Sequence, residues 1–169
     1  ATHRPVSQNS PMFVPMLQRQ LGFNQFAIEK NLGGLSDDEA LQTPVAGASS
    51  LNWVLGHILA TRRYLHQMTG TETPWDAGAL DVYNRGTSPD SASAVPLSTL
   101  LGHFAASQTT LMQGLSAMSE ADMQVEPQDV PLGEKSKAEA FSGLSFHEAY
   151  HAGQLGVLRR AAGKDAAIS

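Results

Sequence analysis

The sequence contains no cysteine, and this absence excludes several kinds of site at once. Without cysteine the chain has no disulfide, no thiolate nucleophile and no thiolate ligand for a metal. Any metal site must therefore be built from histidine, carboxylate or water. Any thiol that takes part in a reaction must come from a cofactor or a substrate.

The sequence also lacks long apolar runs and clusters of basic residues. Its apolar runs are far too short to span a bilayer, and residues 1–10 lack the apolar centre of a signal peptide. The formal net charge is −5, and basic residues pair only at Arg62-Arg63 and Arg159-Arg160. We therefore expect no nucleic-acid partner, no membrane partner and a cytoplasmic location.

The length of 169 residues and the hydrophobic content of 41% fit one domain with a real core. Four long segments repeat apolar residues at helical spacing, and no segment alternates convincingly as a strand does. We predict a single all-α four-helix bundle over residues 1–169. The predicted helices run from Pro11 to Asn31, Ser50 to Thr69, Leu97 to Met118, and Ser136 to Ala162.

Local signals support several of these helix ends. Ser10 is suited to cap the first helix and Pro11 to occupy its first position. A capping box, Ser36 to Glu39, predicts a short helical turn, and Gly70 marks the end of the second long helix. The predicted inner stripe of the first helix comprises Phe13, Met16, Leu17, Gln20, Phe23, Asn24 and Ala27.

The connection between the second and third helices, from Gly70 to Pro96, is unusually long. Such a connection in a compact domain is usually functional or mobile, and its length permits a crossing, so that the next helix need not be antiparallel. It contains apolar residues that we expect to pack against the helices: Trp75, Leu80, Val82 and Tyr83.

Three histidines lie on the predicted apolar faces. His147 and His151 are four residues apart on one helix, a spacing that stacks both imidazoles on one face. His57 lies in the apolar stripe of another helix. Three neutral imidazoles with an open position are typical of a catalytic metal site, so we predict one divalent ion there. The alternative is that these histidines only form hydrogen bonds within the core.

Residues 147–151 read His-Glu-Ala-Tyr-His and match the zincin pattern. A protease is not predicted, because the residues after His151 lack the metzincin extension and no glutamate follows Glu148. Glu148 has two interpretations: a general base or a group that orients a ligand, or a solvated carboxylate beside the core stripe.

Other polar residues leave alternatives open. His103 is a rival ligand, His66 is expected at the surface, and His3 lies in a polar tail. Met16 and Gln20 of the first helix are expected to wall a pocket that the Trp75 loop could cover. Asn24 interrupts the same stripe, and Arg159-Arg160 either pair with substrate or form a solvated helix end.

Two segments resemble the DinB/YfiT-like family. The first is Asn52-Trp53-Val54-Leu55-Gly56-His57-Ile58-Leu59, followed by Arg62 and Tyr64. The second is His147-Glu148-Ala149-Tyr150-His151-Ala152-Gly153-Gln154-Leu155, followed by Leu158-Arg159-Arg160. These motifs are short, but the helix order matches over nearly the whole chain.

The resemblance implies an up-down-down-up bundle, with the long connection making the crossing. It implies zinc, nickel or iron on His57, His147 and His151, and frequent homodimers. Known activities in the family include S-transferases that use bacillithiol or mycothiol, and a maleylpyruvate isomerase. The resemblance therefore implies a metal-dependent S-transferase or hydrolase that acts on a small molecule. The alternatives are a non-enzymatic stress protein that binds a metal or a small ligand, and a purely structural bundle.

Overall fold

A computed structural model describes residues 12–44, 46–87, 92–130 and 133–168. Across these ranges the chain is all-helical and contains no strand, which confirms the predicted class. No helix in this part of the chain is long and apolar enough to cross a membrane. The helices are α1 (Phe13–Leu32), α2 (Asp37–Leu41), α3 (Leu51–Thr69), α4 (Leu97–Ala117) and α5 (Lys137–Ala161), with 3-10 turns at Asp81–Tyr83 and Asp122–Gln124.

The helix ends follow local signals in the sequence. The Ser50 hydroxyl accepts a hydrogen bond from the Trp53 backbone N–H at 3.1 Å and caps α3. Gly70 ends the same helix with a φ of 69°, a left-handed conformation that glycine adopts at little cost. Both hydrogen bonds of the predicted capping box at the start of α2 are present. The predicted cap at Ser10 and the proline after it lie outside the described residues.

Buried hydrogen bonds align α1 with α5. The Asn24 side chain donates to the Ser145 carbonyl at 3.1 Å, and Asn31 donates to the Ala152 carbonyl at 3.3 Å. From the first bond to the second, the residue number increases by seven on both helices, so α1 and α5 run in the same direction along this contact. The predicted stripe of α1 is right in part: Leu17 and Asn24 are buried, but Met16 and Phe23 are each 61% exposed. Asn31, outside the predicted stripe, is also buried, because it satisfies a carbonyl of α5.

The central helix α3 packs against α2, α4, α5 and the turn at Asp81–Tyr83. It is consequently buried on more than one side, and twelve of its residues are buried. His66 is one of them, with only 1% of its surface exposed, so the prediction that it lies at the surface is wrong. A single apolar stripe cannot describe a helix that neighbours enclose on several sides.

The long connection packs against α3, as expected. Leu80 and Tyr83 are buried, and the Tyr83 hydroxyl donates to the Asn52 side chain at 2.8 Å and accepts from the Val95 backbone N–H at 2.8 Å. A methyl group at Gly56 would overlap the Tyr83 ring, so the absence of a side chain at this position allows the ring to lie on α3. These contacts hold the connection beside the histidines.

Candidate metal centre

The structure brings the three predicted histidines together between α3 and α5. The ring centroids of His147 and His151 lie 4.5 Å apart. The His57 centroid lies 5.2 Å from that of His147 and 5.1 Å from that of His151. One nitrogen from each ring can be chosen so that all three lie within 4.8 Å of one another. The facing sides of α3 and α5 thus present three possible ligand atoms to one region.

Hydrogen bonds orient two of these rings. His57 Nδ1 donates to the Tyr83 carbonyl at 2.9 Å, and His151 Nδ1 donates to Gln154 Oε1 at 2.8 Å. Because both partner oxygens are acceptors, the proton of each neutral ring lies on Nδ1 and the lone pair on Nε2. Such bonds are typical of histidines that bind metals, because they orient the ring and increase the basicity of the ligand atom.

The separation of the ligand atoms tests whether a metal fits. His147 Nε2 and His151 Nε2 lie 3.2 Å apart. Two nitrogens bound to one tetrahedral metal at about 2.0–2.1 Å are separated by about 3.3 Å. The pair therefore has nearly the spacing that an ion between them requires. His57 completes the set, and its ring stacks on Trp53 with a centroid distance of 4.6 Å and an interplanar angle of 12°.

The surroundings favour the neutral form of His147 and His151. Burial lowers the pKa of His147 to about 4, with further contributions from the nearby His151 and His57. Burial also lowers the pKa of His151. Neutral imidazole is the form that binds a metal, so these two rings need no deprotonation at neutral pH.

Glu148 does not lie in solvent, contrary to one of its two interpretations. It is only 2% exposed, and both of its carboxylate oxygens accept hydrogen bonds from Arg62. The nitrogen–oxygen distances are 2.7 Å to Nε and 2.9 Å to Nη2. This two-point ion pair joins α3 to α5 beside the candidate ligands. The role of Glu148 as a general base stays a prediction.

Sequence reasoning missed the network around Arg62. Its guanidinium donates to Gln108 Oε1 at 2.8 Å and to Ser107 Oγ at 3.4 Å, and it lies 4.0 Å from the centroid of the Phe104 ring. Ser107 Oγ in turn lies 2.8 Å from Nε2 of His66. The one available signal was the position of Arg62 after the His57 motif. That position does not indicate which side chains Arg62 contacts.

His66 provides a prediction about pH. Its pKa is lowered to about 4, first by burial and then by the charge of Arg62. The unfolded chain therefore binds more protons between the ordinary pKa of about 6.5 and that value, so stability is full above this window and is lost as pH falls through it. Between roughly pH 7 and pH 5, His66 should account for a loss of about 2 kcal/mol.

The measurement compares denaturant unfolding of metal-free wild-type protein and His66→Gln at both pH values. Glutamine keeps a donor and an acceptor for Thr71 and Ser107, which both contact the histidine. The other histidines titrate in both proteins, so their effects cancel. An equal loss of stability in the two proteins would contradict the assignment.

The rival ligand His103 lies elsewhere. Its ring is half-buried against Trp75, with 5.9 Å between centroids, and Trp75 also meets His66 at 5.8 Å. Trp75 therefore packs beside these two histidines. In the described part of the chain, the group of residues able to hold a metal is His57, His147 and His151.

A cavity of about 370 Å³ opens beside the centre. Its walls come from α3, α5, the middle of the long connection and Glu134. The expectation that Met16 and Gln20 form a wall is wrong, because neither lines this cavity. The lining residues are His57, Ala60, Thr61, Arg63, Tyr64, Asn84, Arg85, Glu134, Gly143, Leu144 and His147.

Comparison with known protein families gives a match over most of the chain. The family model of the DinB superfamily matches residues 20–155, which cover α1 to α5 up to Leu155 and include all three histidines. No curated protein matches the chain.

Proposed function

Since this chain belongs to the DinB superfamily, and since it brings three histidines together, we propose that it is a metal-dependent enzyme that acts on a small molecule. The observation that carries this proposal is the geometry of His57, His147 and His151. Two ring nitrogens lie 3.2 Å apart, and hydrogen bonds through Nδ1 orient two of the three rings.

The three histidines would hold one divalent ion, which we propose to be zinc, nickel or iron. His57 and His151 would bind through Nε2, because their Nδ1 atoms donate to oxygens. An ion with an open position lowers the pKa of a bound water or thiol and so supplies a nucleophile near neutral pH. The chain itself keeps the ligands neutral, orients them and encloses the space beside them.

The reaction class follows from what the chain lacks and from the adjoining cavity. With no cysteine in the sequence, any reacting thiol must be a separate small molecule. A cavity of about 370 Å³ is at the lower end of the range for small-molecule sites, about 300–1,000 Å³. We propose transfer of a low-molecular-weight thiol, or hydrolysis, as the activity.

The alternative is a non-enzymatic stress protein that binds a metal or a small ligand. A closed coordination sphere with a fourth protein ligand would favour it. The group found among the described residues holds three histidines and no carboxylate. That composition leaves positions for water or substrate and favours the enzyme.

The wider architecture is also part of the proposal. Asn52 near the start of α3 donates to Val95 just before α4, whereas Lys137 at the start of α5 donates to Met68 at the end of α3. With the alignment of α1 and α5, these contacts support an up-down-down-up bundle in one domain. Exposed apolar side chains on α1 and α5, Phe23 and Phe146 among them, support a homodimer. A cytoplasmic location stays a prediction.

The test compares His57→Ala with His103→Ala, two half-buried histidines on neighbouring helices. Loss of a ligand should empty the metal site under dialysis, whereas loss of a nearby histidine that is not a ligand should leave the metal bound. His103→Ala should keep about one ion per chain and any activity of the wild type with thiols and electrophilic or hydrolysable substrates. His57→Ala should lose both.

Elemental analysis and the activity screen give the readout. If His103→Ala alone empties the site, the assignment of His57 is wrong. If both variants empty it, His103 is also a ligand, and a binding protein becomes the better interpretation.

A further inference from the structure

The cavity beside the three histidines carries charges of both signs. His57 and His147 form part of one wall, and the other walls include two arginines and one glutamate: Arg63, Arg85 and Glu134. A cavity next to a metal needs no charged side chains merely to admit a neutral molecule. The placement of these three groups therefore bears on which molecule the cavity takes.

The two arginines are available to an anionic ligand. Arg85 follows Tyr83 by two residues, and the contacts of Tyr83 with Asn52 and His57 hold this stretch beside the site. Arg85 forms no ion pair within the described ranges. Arg63 lies 4.0 Å from an oxygen of Asp81, but both side chains are largely exposed, at 43% and 66%, so this pair is weak.

The chemistry of arginine suits a carboxylate. Its planar guanidinium presents parallel N–H groups that match the two oxygens of a carboxylate. Both arginines line the cavity, so they can bind an anionic end of the ligand. Their positive charges would repel an ammonium group.

Glu134 offers the opposite charge. Its Oε1 lies near α5 at Gly143, where a methyl group would be 3.6 Å from this oxygen. Gly143 is four residues before His147, so both lie on the same face of α5. Glu134 Oε2 is sealed from solvent and has no hydrogen-bond partner in the part of the chain that the structure describes. A cationic ligand group beside Glu134 would supply the partner that this oxygen lacks among the described residues.

We infer that the cavity takes a small amino-acid-like zwitterion. Its carboxylate binds Arg63 and Arg85, its ammonium group binds beside Glu134, and its third substituent points to the histidines. The position of the third substituent rests on the proposed function, because it assumes an ion there. The two charged subsites depend only on side chains of this chain.

The experiment uses four thiols that differ in their charged groups. L-Cysteine carries both groups, cysteamine lacks the carboxylate, 3-mercaptopropionate lacks the amine, and 2-mercaptoethanol lacks both. Each is titrated into cobalt-loaded protein, in which the thiolate-to-metal absorption band reports binding. Metal content is measured after each titration. The wild-type protein should bind L-cysteine roughly tenfold more tightly than either compound that lacks one group.

Two variants separate the subsites. Arg85→Gln should abolish the preference for L-cysteine over cysteamine and leave its preference over 3-mercaptopropionate. Glu134→Gln should abolish the preference for L-cysteine over 3-mercaptopropionate and leave its preference over cysteamine. The matched controls are Arg19→Gln and Glu126→Gln, which remove the same charges at exposed positions outside the cavity and should retain both preferences.

The outcomes distinguish this inference from the proposed function. If L-cysteine is preferred only because its amine or carboxylate chelates the ion, both preferences will persist in both variants, and the inference is overturned. If the protein takes no metal, the proposed function fails, and the four compounds are compared by thermal stabilisation of metal-free protein. Equal stabilisation by all four would then overturn the zwitterion site as well.

Discussion

Replacing His147 or His151 with alanine is expected to reduce bound metal from about one ion per chain to almost none. The two Nε2 atoms lie 3.2 Å apart, so each alanine removes one of two adjacent ligand atoms and leaves two ligands from three. Changes to groups that only orient a ligand typically weaken metal affinity by about 10–100-fold, and the loss of a ligand should exceed this. Elemental analysis after dialysis against metal-free buffer measures the difference.

Thermal unfolding gives a second readout of the same change. A ligand that binds only the folded state stabilises it by about 2.7 kcal/mol at a free concentration one hundred times its Kd. Added zinc or nickel should therefore raise the Tm of the wild-type protein and leave that of His147→Ala nearly unchanged. Stoichiometric metal in both alanine variants would refute the three-histidine site.

Breaking the ion pair between Arg62 and Glu148 is expected to have the largest effect on folding. The two side chains are 1% and 3% exposed, so neither charge can return to water if its partner is removed. Glu148→Leu would leave the guanidinium buried with only the neutral partners Ser107 and Gln108. Removal of one member of a buried pair typically costs about 3–5 kcal/mol.

Two comparisons identify the cause. The double variant Arg62→Met/Glu148→Leu removes both charges and should recover much of the lost stability, because the unpaired charge is what costs most. Lys164→Met removes a partner from the ion pair with Glu39, in which both side chains are about a third exposed. This control should lose much less stability than Glu148→Leu, because water solvates the remaining charge.

Denaturant unfolding of the metal-free proteins measures all three free energies. If Glu148→Leu costs no more than Lys164→Met, the pair does not hold α3 and α5 together. If the double variant is as unstable as Glu148→Leu, packing and not charge is the cause. Because Glu148 lies between His147 and His151 in the sequence, this pair also joins α3 to α5 beside the three histidines.

The helix ends and the His147/His151 pair could be predicted because they depend on residues close together in the chain. Ser50 caps a helix through a hydrogen bond to a residue three positions later, and Gly70 ends it through its own backbone conformation. His147 and His151 share a face because a helix has about 3.6 residues per turn. Such interactions do not depend on where the other helices lie.

The errors arose where the prediction had to decide which side of a helix faces the other helices. Periodicity shows that α1 has two faces and correctly placed Leu17 and Asn24 on the buried one, but it wrongly added the exposed Phe23 and Met16. The true interface contains Asn24 and Asn31, which are polar but satisfy carbonyls of α5. Hydrophobicity alone does not identify a buried asparagine that has its partner.

The sequence by itself determined the helical class, most helix boundaries and the three candidate ligands, because helix propensity, capping and spacing act over a few residues. Only the tertiary structure decided which distant groups come together. Arg62 pairs with Glu148 across 86 positions of the chain, and Glu134 and Arg85 line the same cavity. The physical reason is that the sequence position of a charged residue does not determine which residue it pairs with. When packing removes a charged side chain from water, a group that the fold brings within reach must compensate its charge.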